Sequence, residues 1–234
     1  VEEFRLLIND IYPAAELGPE DIHFWIGGMR PLGDEDTHPD HVQASHQLAF
    51  RDHRVADGID NLFSVVGVKY TIARHVAEKV VQRVFRRLRM RPRRSRTAEI
   101  RLFGGSVERF PEFLQEARKR YHLDAARSEH LACNYGSTLD DLMRFAAARP
   151  GGTDLLPASD EVMEAEIAYA VRQAMALKLS DAVMRRTDLG TRGHPGRPAL
   201  EACAAIMADE LGWDDRRRNA ELAEVEALYQ LPDE

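Results

Sequence analysis

The sequence predicts an α/β portion followed by an all-α domain, and three observations predict it. First, the compact apolar run Leu62-Phe63-Ser64-Val65-Val66 leads into Gly67-Val68-Lys69-Tyr70-Thr71 and then into a helical stretch from about residue 72 to 88, a strand, glycine turn and helix. Second, the run from Arg86 to Arg96 is strongly basic and contains Pro92, which marks a boundary. Third, everything beyond it reads as helix, over about 108–121, 124–134, 138–148, 159–185, 197–211 and 214–228, with breaks containing Gly and Pro at 149–157 and 190–198. The predicted domains are 1–92 and 97–234.

Taken in order, Phe4, Leu7, Ile8 and Ile11 recur at helical spacing over residues 2–12, and Pro13 ends that helix. Ile22 to Leu32 is β-branched and aromatic before Gly27, Gly28 and Pro31 break it, so a strand running into a loop is expected, with Arg30 at its end. Residues 33–60 are rich in Asp, His and Gly with little periodicity, apart from a short strand around Gln47 to Phe50. The longest helix is expected from Ser159 to Arg186, where Ile167, Ala170, Val171, Ala174, Met175, Leu177, Leu179, Val183 and Met184 form a broad stripe suited to a bundle core. Ser159, with Glu161 close behind it, is the expected start.

Composition narrows the function classes. A net charge of -7 argues against wholesale nucleic-acid binding, and the arginine run has few aromatics for base stacking. Cys133 and Cys203 form no Cys-x-x-Cys pair and no disulfide framework, which suits a reducing compartment. No apolar run approaches the roughly 20 residues that a membrane-spanning helix needs. The chain opens on Val1 with a helical pattern already in progress, from which a piece of a longer protein is expected.

Three clusters are candidates for chemistry. Gly67 before a helix lets the backbone approach a ligand, and the helix N-terminus offers unpaired N–H groups to anionic or electron-rich atoms beside the Lys69 ammonium. Arg30 presents a donor fork suited to phosphate or carboxylate. His38, Asp40, His41 and His46 are ligand types for zinc or iron, but their spacing sits in an irregular loop without a completing cluster, so no metal site is assigned. Read from residue types alone, each cluster has an ordinary structural account as well: a β–α turn, a solvated arginine and loop histidines.

Several motifs, in order, resemble the FAD-dependent glycerol-3-phosphate dehydrogenases. Gly28-Met29-Arg30-Pro31-Leu32 is similar to that family's G-x-R-P-L, and Ser64 to Arg74 with Ala77-Glu78 is similar to its S-V-x-G-G-K-x-T-T-x-R-x-x-A-E. Glu166 to Arg172, the D-x-x-x-R-R-T element Asp181 to Thr187, and Leu211-Gly212-Trp213-Asp214 resemble the helical domain that closes these enzymes, so the likeness covers nearly the whole chain. It implies an end-portion of an FAD-binding and substrate domain followed by a helical carboxyl-terminal domain. The implied reaction is oxidation of sn-glycerol 3-phosphate to dihydroxyacetone phosphate, with electrons passed to a quinone. Arg30 and Lys69 are the implied catalytic pair, Arg30, His46 and Lys69 bind substrate, and Gly67, Val68, Lys69, Tyr70 and Thr71 line the flavin. A cytoplasmic protein, peripheral on the inner face of the membrane and forming a homodimer, is also implied.

This sequence departs from the pattern at Val68, where the family has a second glycine, at Ile72, where it has a second threonine, and near His46, where an arginine is expected. No G-x-G-x-x-G run follows a strand, so the segment that grips the FAD pyrophosphate is absent from these 234 residues. The alternatives are a non-catalytic helical interaction module and a related flavin oxidoreductase with another substrate.

Overall fold

The computed structural model describes residues 1–27, 49–66 and 70–230. In chain order the elements are α1 (Glu2–Ile11), β1 (Ala49–Asp52), α2 (His53–Asp57), β2 (Phe63–Val66), α3 (Ala73–Arg87), α4 (Phe110–Tyr121), α5 (Ala125–Tyr135), α6 (Leu139–Ala147), α7 (Glu164–Ala174), α8 (Leu179–Asp181), α9 (Arg197–Leu211) and α10 (Asp215–Ala227). They form two compact units, one of Val1–Ile26 with Leu102–Glu234, the other of Gly27–Arg101.

The first unit is helical and holds the core. α7 lies at its centre because it is apolar on two faces. Ile167 and Ala170 join Leu179, Val183, Leu200, Cys203, Met207, Leu222 and Val225 in one cluster, while Met163, just before the helix, and Tyr169 join Leu131, Leu139 and Leu142 in another. Burial also pushes the Cys203 thiol up to about 12, so it packs as a small apolar side chain. Val1–Ile26 belongs to this unit at its far end, where the Phe24 ring meets Tyr229 edge-on at 5.8 Å and Trp25 Nε1 donates to the Gln230 carbonyl at 3.2 Å. Those side-chain anchors replace a sheet: the strand expected from Ile22 is absent over residues 22–27, and the remainder of that expectation, including Arg30, lies outside the described residues.

The long helix expected over 159–186 is three pieces. Ser159 does not start a helix; its Oγ accepts from the Val162 amide at 3.0 Å and closes a turn, and α7 begins five residues later, where the Glu166 side chain reaches back to the Met163 amide at 2.8 Å. α7 stops because Met175 adopts a left-handed backbone with φ 55°, leaving Met175 and Leu177 exposed rather than in the core. After α8, residues Ala182–Arg186 wind as a π-helical turn: Thr187 returns both its amide (3.1 Å) and its Oγ1 (2.8 Å) to the Ala182 carbonyl.

Gly136 shows how tightly the loops are set. Its φ is 49°, and a Cβ there would meet the Gly104 carbonyl oxygen at 2.2 Å. Gly136→Ala is expected to cost about 1–3 kcal/mol through strain and displacement of backbone, read as a lower urea midpoint for the whole chain.

The second unit is small. β1 and β2 pair antiparallel, Ala49 with Val66 through Asp52 with Phe63. Phe50 and Phe63 stack at 5.3 Å, and the Arg83 guanidinium of α3 lies 4.3 Å from the Phe50 ring centre. The short α2 begins where the Asp52 side chain accepts from the Arg54 amide at 3.0 Å, and Gly58, φ 73°, ends it.

Candidate functional site

Of the residues singled out from the sequence, Arg30, His46, Gly67, Val68 and Lys69 lie outside the described residues. Tyr70 and Thr71 are described. Both are exposed, Tyr70 almost completely, in a 3₁₀ turn, Tyr70–Ile72, that leads directly into α3. α3 has no side-chain cap at its start and no acidic residue in its first turn. Among the described residues, therefore, no side-chain cap and no acidic side chain on this first turn offsets the positive dipole end of α3.

The same unit contains a polar chain that sequence reading missed. His53 Nε2 lies 2.7 Å from Ser64 Oγ, and His53 Nδ1 lies 2.5 Å from Asp57 Oδ2. Asp57 accepts on its other oxygen from the Arg51 guanidinium at 2.6 Å. Those hydrogen bonds from Arg51 and His53 hold the Asp57 carboxyl below its ordinary range. The available signal was the spacing of His53 and Asp57, four residues apart; the stretch around them has too little periodicity to suggest a helix.

In the helical unit the family-like motifs have structural roles. Asp181 accepts from the Lys178 amide at 3.2 Å and pairs with Arg185 at 3.0 Å, fixing the entry to the π turn that Thr187 closes. Gly212, φ 69°, ends α9, and Asp214 caps α10 through the Arg217 amide at 2.7 Å. Glu166 is fully buried and accepts from Tyr135 Oη at 2.8 Å and from His130 Nε2 at 3.0 Å, besides the Met163 amide. Burial disfavours a charged His130, but the carboxylates of Glu166, Asp188 and Glu161 outweigh it and raise the ring above its ordinary range. Tyr135 is raised by burial first and by Glu166 second. This network backs a cleft of about 610 Å³ whose lining includes Phe103, Asn134, Tyr135, Gln173, Arg186 and Thr191.

A second buried charge joins helix ends. Glu210, 5% exposed, pairs with Arg149 at 2.7 Å and Arg172 at 2.5 Å. Burial alone would raise its carboxyl, but the two arginines lower it below 4.5. A depressed folded-state value gives stability that is present above about 4.5 and lost as pH falls through the folded value. Glu210→Gln is therefore expected to lower the urea midpoint at pH 7 and to approach the parent protein as pH falls through the lowered folded value.

Residues 95–218 match the family described as the C-terminal domain of alpha-glycerophosphate oxidase. The chain belongs to this family. A glycerol-3-phosphate dehydrogenase from Synechocystis sp. is 31% identical over 209 residues, covering 88% of this chain and 37% of the relative. An aerobic glycerol-3-phosphate dehydrogenase from Staphylococcus epidermidis is 28% identical over 233 residues, covering 94% of this chain and 40% of the relative. Among solved structures, the glycerol-3-phosphate dehydrogenase from Bacillus halodurans complexed with FAD superposes with a TM-score of 0.57 at 26% identity, covering 73% of this chain and 37% of that one. The chain thus spans about two fifths of the length of the curated relatives it matches. Among the described residues no helix is long and apolar enough to cross a membrane, and no group of three or more His, Cys, Asp or Glu could hold a metal ion.

Proposed function

We propose that this chain supplies the carboxyl-terminal part of an FAD-dependent glycerol-3-phosphate dehydrogenase, divided functionally into a flavin and substrate portion, 1–92, and a helical domain, 97–234. The observation that carries this is that glycerol-3-phosphate dehydrogenases match across 88% and 94% of the chain, beyond the helical domain alone. The uncapped start of α3 after Tyr70–Ile72 suits a flavin edge. FAD, when bound, accepts a hydride from C2 of glycerol 3-phosphate at N5. With no G-x-G-x-x-G run in these residues, the pyrophosphate end is held by a segment outside them.

In this assignment Arg30 holds the substrate phosphate with its guanidinium fork, and His46, when protonated, adds a second donor. Lys69 bridges substrate and flavin edge. Gly67, Val68, Tyr70 and Thr71 line the ring through their backbone, and Thr71 adds a hydroxyl. The electrons pass to a quinone. The protein works in the cytoplasm as a homodimer, peripheral on the inner membrane face, where the basic run from Arg86 to Arg96 meets anionic lipid.

The test joins this chain to the flavin-binding part of the Bacillus halodurans relative and follows flavin absorbance near about 450 nm anaerobically. Bleaching on addition of glycerol 3-phosphate supports the assignment. Flavin binding without bleaching points instead to a related oxidoreductase, the reading that Val68, Ile72 and His46 favour. Loss of flavin binding leaves the helical unit as a docking module, which its self-contained core favours.

A further inference from the structure

The cleft of about 610 Å³ in the helical unit has a wall whose hydrogen bonding depends on one buried imidazole. Asn134 of α5 and Asp188, just past the π turn, both line it, and the Asn134 amide nitrogen donates to Asp188 Oδ2 at 2.7 Å. That bond clasps α5 to the loop after the π turn. The same amide nitrogen lies 3.2 Å from Nδ1 of His130, one turn earlier on α5. An amide NH2 has two hydrogens to give and no lone pair to offer, so Nδ1 must be the acceptor. This is the geometry of a neutral ring that carries its proton on Nε2, which donates to Glu166 Oε2 at 3.0 Å.

Protonation turns Nδ1 into a donor and sets two donors face to face around a His130 side chain that is 3% exposed. Three carboxylates face the ring from three segments: Glu166 on α7, and Glu161 and Asp188, each with an oxygen 3.8 Å from Nδ1. Glu166 is fully buried and also holds the Met163 amide and Tyr135 Oη, so it stays in place. Glu161 is drawn away by Arg192, at 3.7 Å. The Asp188 side chain is 48% exposed, and among the described residues its carboxylate is hydrogen-bonded to Asn134 alone. Asp188 is therefore the group that closes onto Nδ1–H. Thr191 donates its amide (3.2 Å) and Oγ1 (3.0 Å) to the Asp188 carbonyl, so the turn on the cleft wall moves with it. Burial opposes the charged ring, but the three carboxylates prevail and raise it, which brings the cation within reach.

We propose that the Asn134–Asp188 bridge is a pH-operated clasp on this cleft, closed when His130 is neutral and released when His130 is protonated. In the released state Asp188 accepts from Nδ1–H, and the Asn134 amide presents both of its N–H groups to the cleft. Release occurs as pH falls through the His130 midpoint. Every group involved lies in the helical unit, so the clasp depends on neither the flavin nor the substrate assignment.

The test follows the whole chain by nitrogen-15 NMR, with a second sample carrying a trifluoromethyl thiol tag on Cys133, which is exposed on the cleft wall. Cys203 is buried, its thiol pushed up to about 12, and does not take the tag. As pH falls, the His130 ring nitrogens, the Asn134 side-chain NH2, the Thr191 amide and the fluorine signal should shift together with one midpoint. Asp188→Asn, a change at a half-exposed side chain, should lower the His130 midpoint and abolish the Thr191 and fluorine shifts, because no carboxylate then leaves the wall. His130→Gln should flatten all of them. A ring that titrates while Thr191 and the tag stay still, or responses that survive Asp188→Asn, would overturn the clasp. So would a ring that keeps one protonation state until the chain unfolds, a result the parent protein gives even if His130→Gln does not fold.

Discussion

Glu166→Ala is expected to remove about 3–5 kcal/mol of stability, a large share of the roughly 5–15 kcal/mol of an ordinary domain. The carboxylate is fully buried and is the shared acceptor for the Met163 amide, Tyr135 Oη and His130 Nε2. Its loss strands three buried donors and leaves a raised, cationic-leaning imidazole without its nearest counter-charge. Tyr135→Phe removes one donor and leaves Glu166 with two, so about 1 kcal/mol is expected there. The measurement is urea unfolding of the whole chain. The pH dependence adds a signature. His130 is raised in the folded state, so its contribution is complete below about 6.5 and is lost as pH rises through the higher folded value. His130→Gln should flatten that decline, and a decline unchanged by the substitution would show that the imidazole is not its source.

Lys69→Ala in the joined flavoprotein is expected to lower kcat and kcat/KM together by roughly 10²–10³-fold, about 2.7–4 kcal/mol of transition-state stabilisation. The reasoning is electrostatic: in the proposed assignment negative charge develops at the flavin edge as hydride arrives, and an ammonium four residues before α3 would stabilise it. Arg30→Ala should instead act mainly on KM for glycerol 3-phosphate, because a phosphate contact remote from C2 is made equally before and during reaction. Arg30→Lys should not restore it, since a single ammonium cannot reproduce the two-point fork. Stopped-flow flavin reduction at several substrate concentrations separates the two effects.

The helices were legible where one rule dominated. Pro13 bounds α1, the Gly212 and Asp214 pair separates α9 from α10, and the apolar run of β2 and the helical pattern of α3 stand out in turn. The stretch from Ser159 to Arg186 was not legible, because a continuous apolar stripe does not show that Met175 turns left-handed or that Thr187 doubles back on Ala182. The strand expected at Ile22 misled because aromatic residues that anchor a terminal segment by their side chains read the same as residues that pair in a sheet. For the candidate site, the start of α3 could be found from residue order, while Gly67 lies outside the described residues. The Ser64, His53 and Asp57 chain depends on the register of β1 against β2, which brings the start of α2 beside Ser64, and no local pattern encodes that pairing.

The measurement that tests the central claim most directly is product formation. Joined to a flavin-binding segment, the chain should convert glycerol 3-phosphate to dihydroxyacetone phosphate in a one-to-one ratio with flavin reduced, and should leave glycerol, which lacks the phosphate for Arg30, almost untouched. Flavin that is bound but reduced equally by both alcohols, or by neither, would contradict the account.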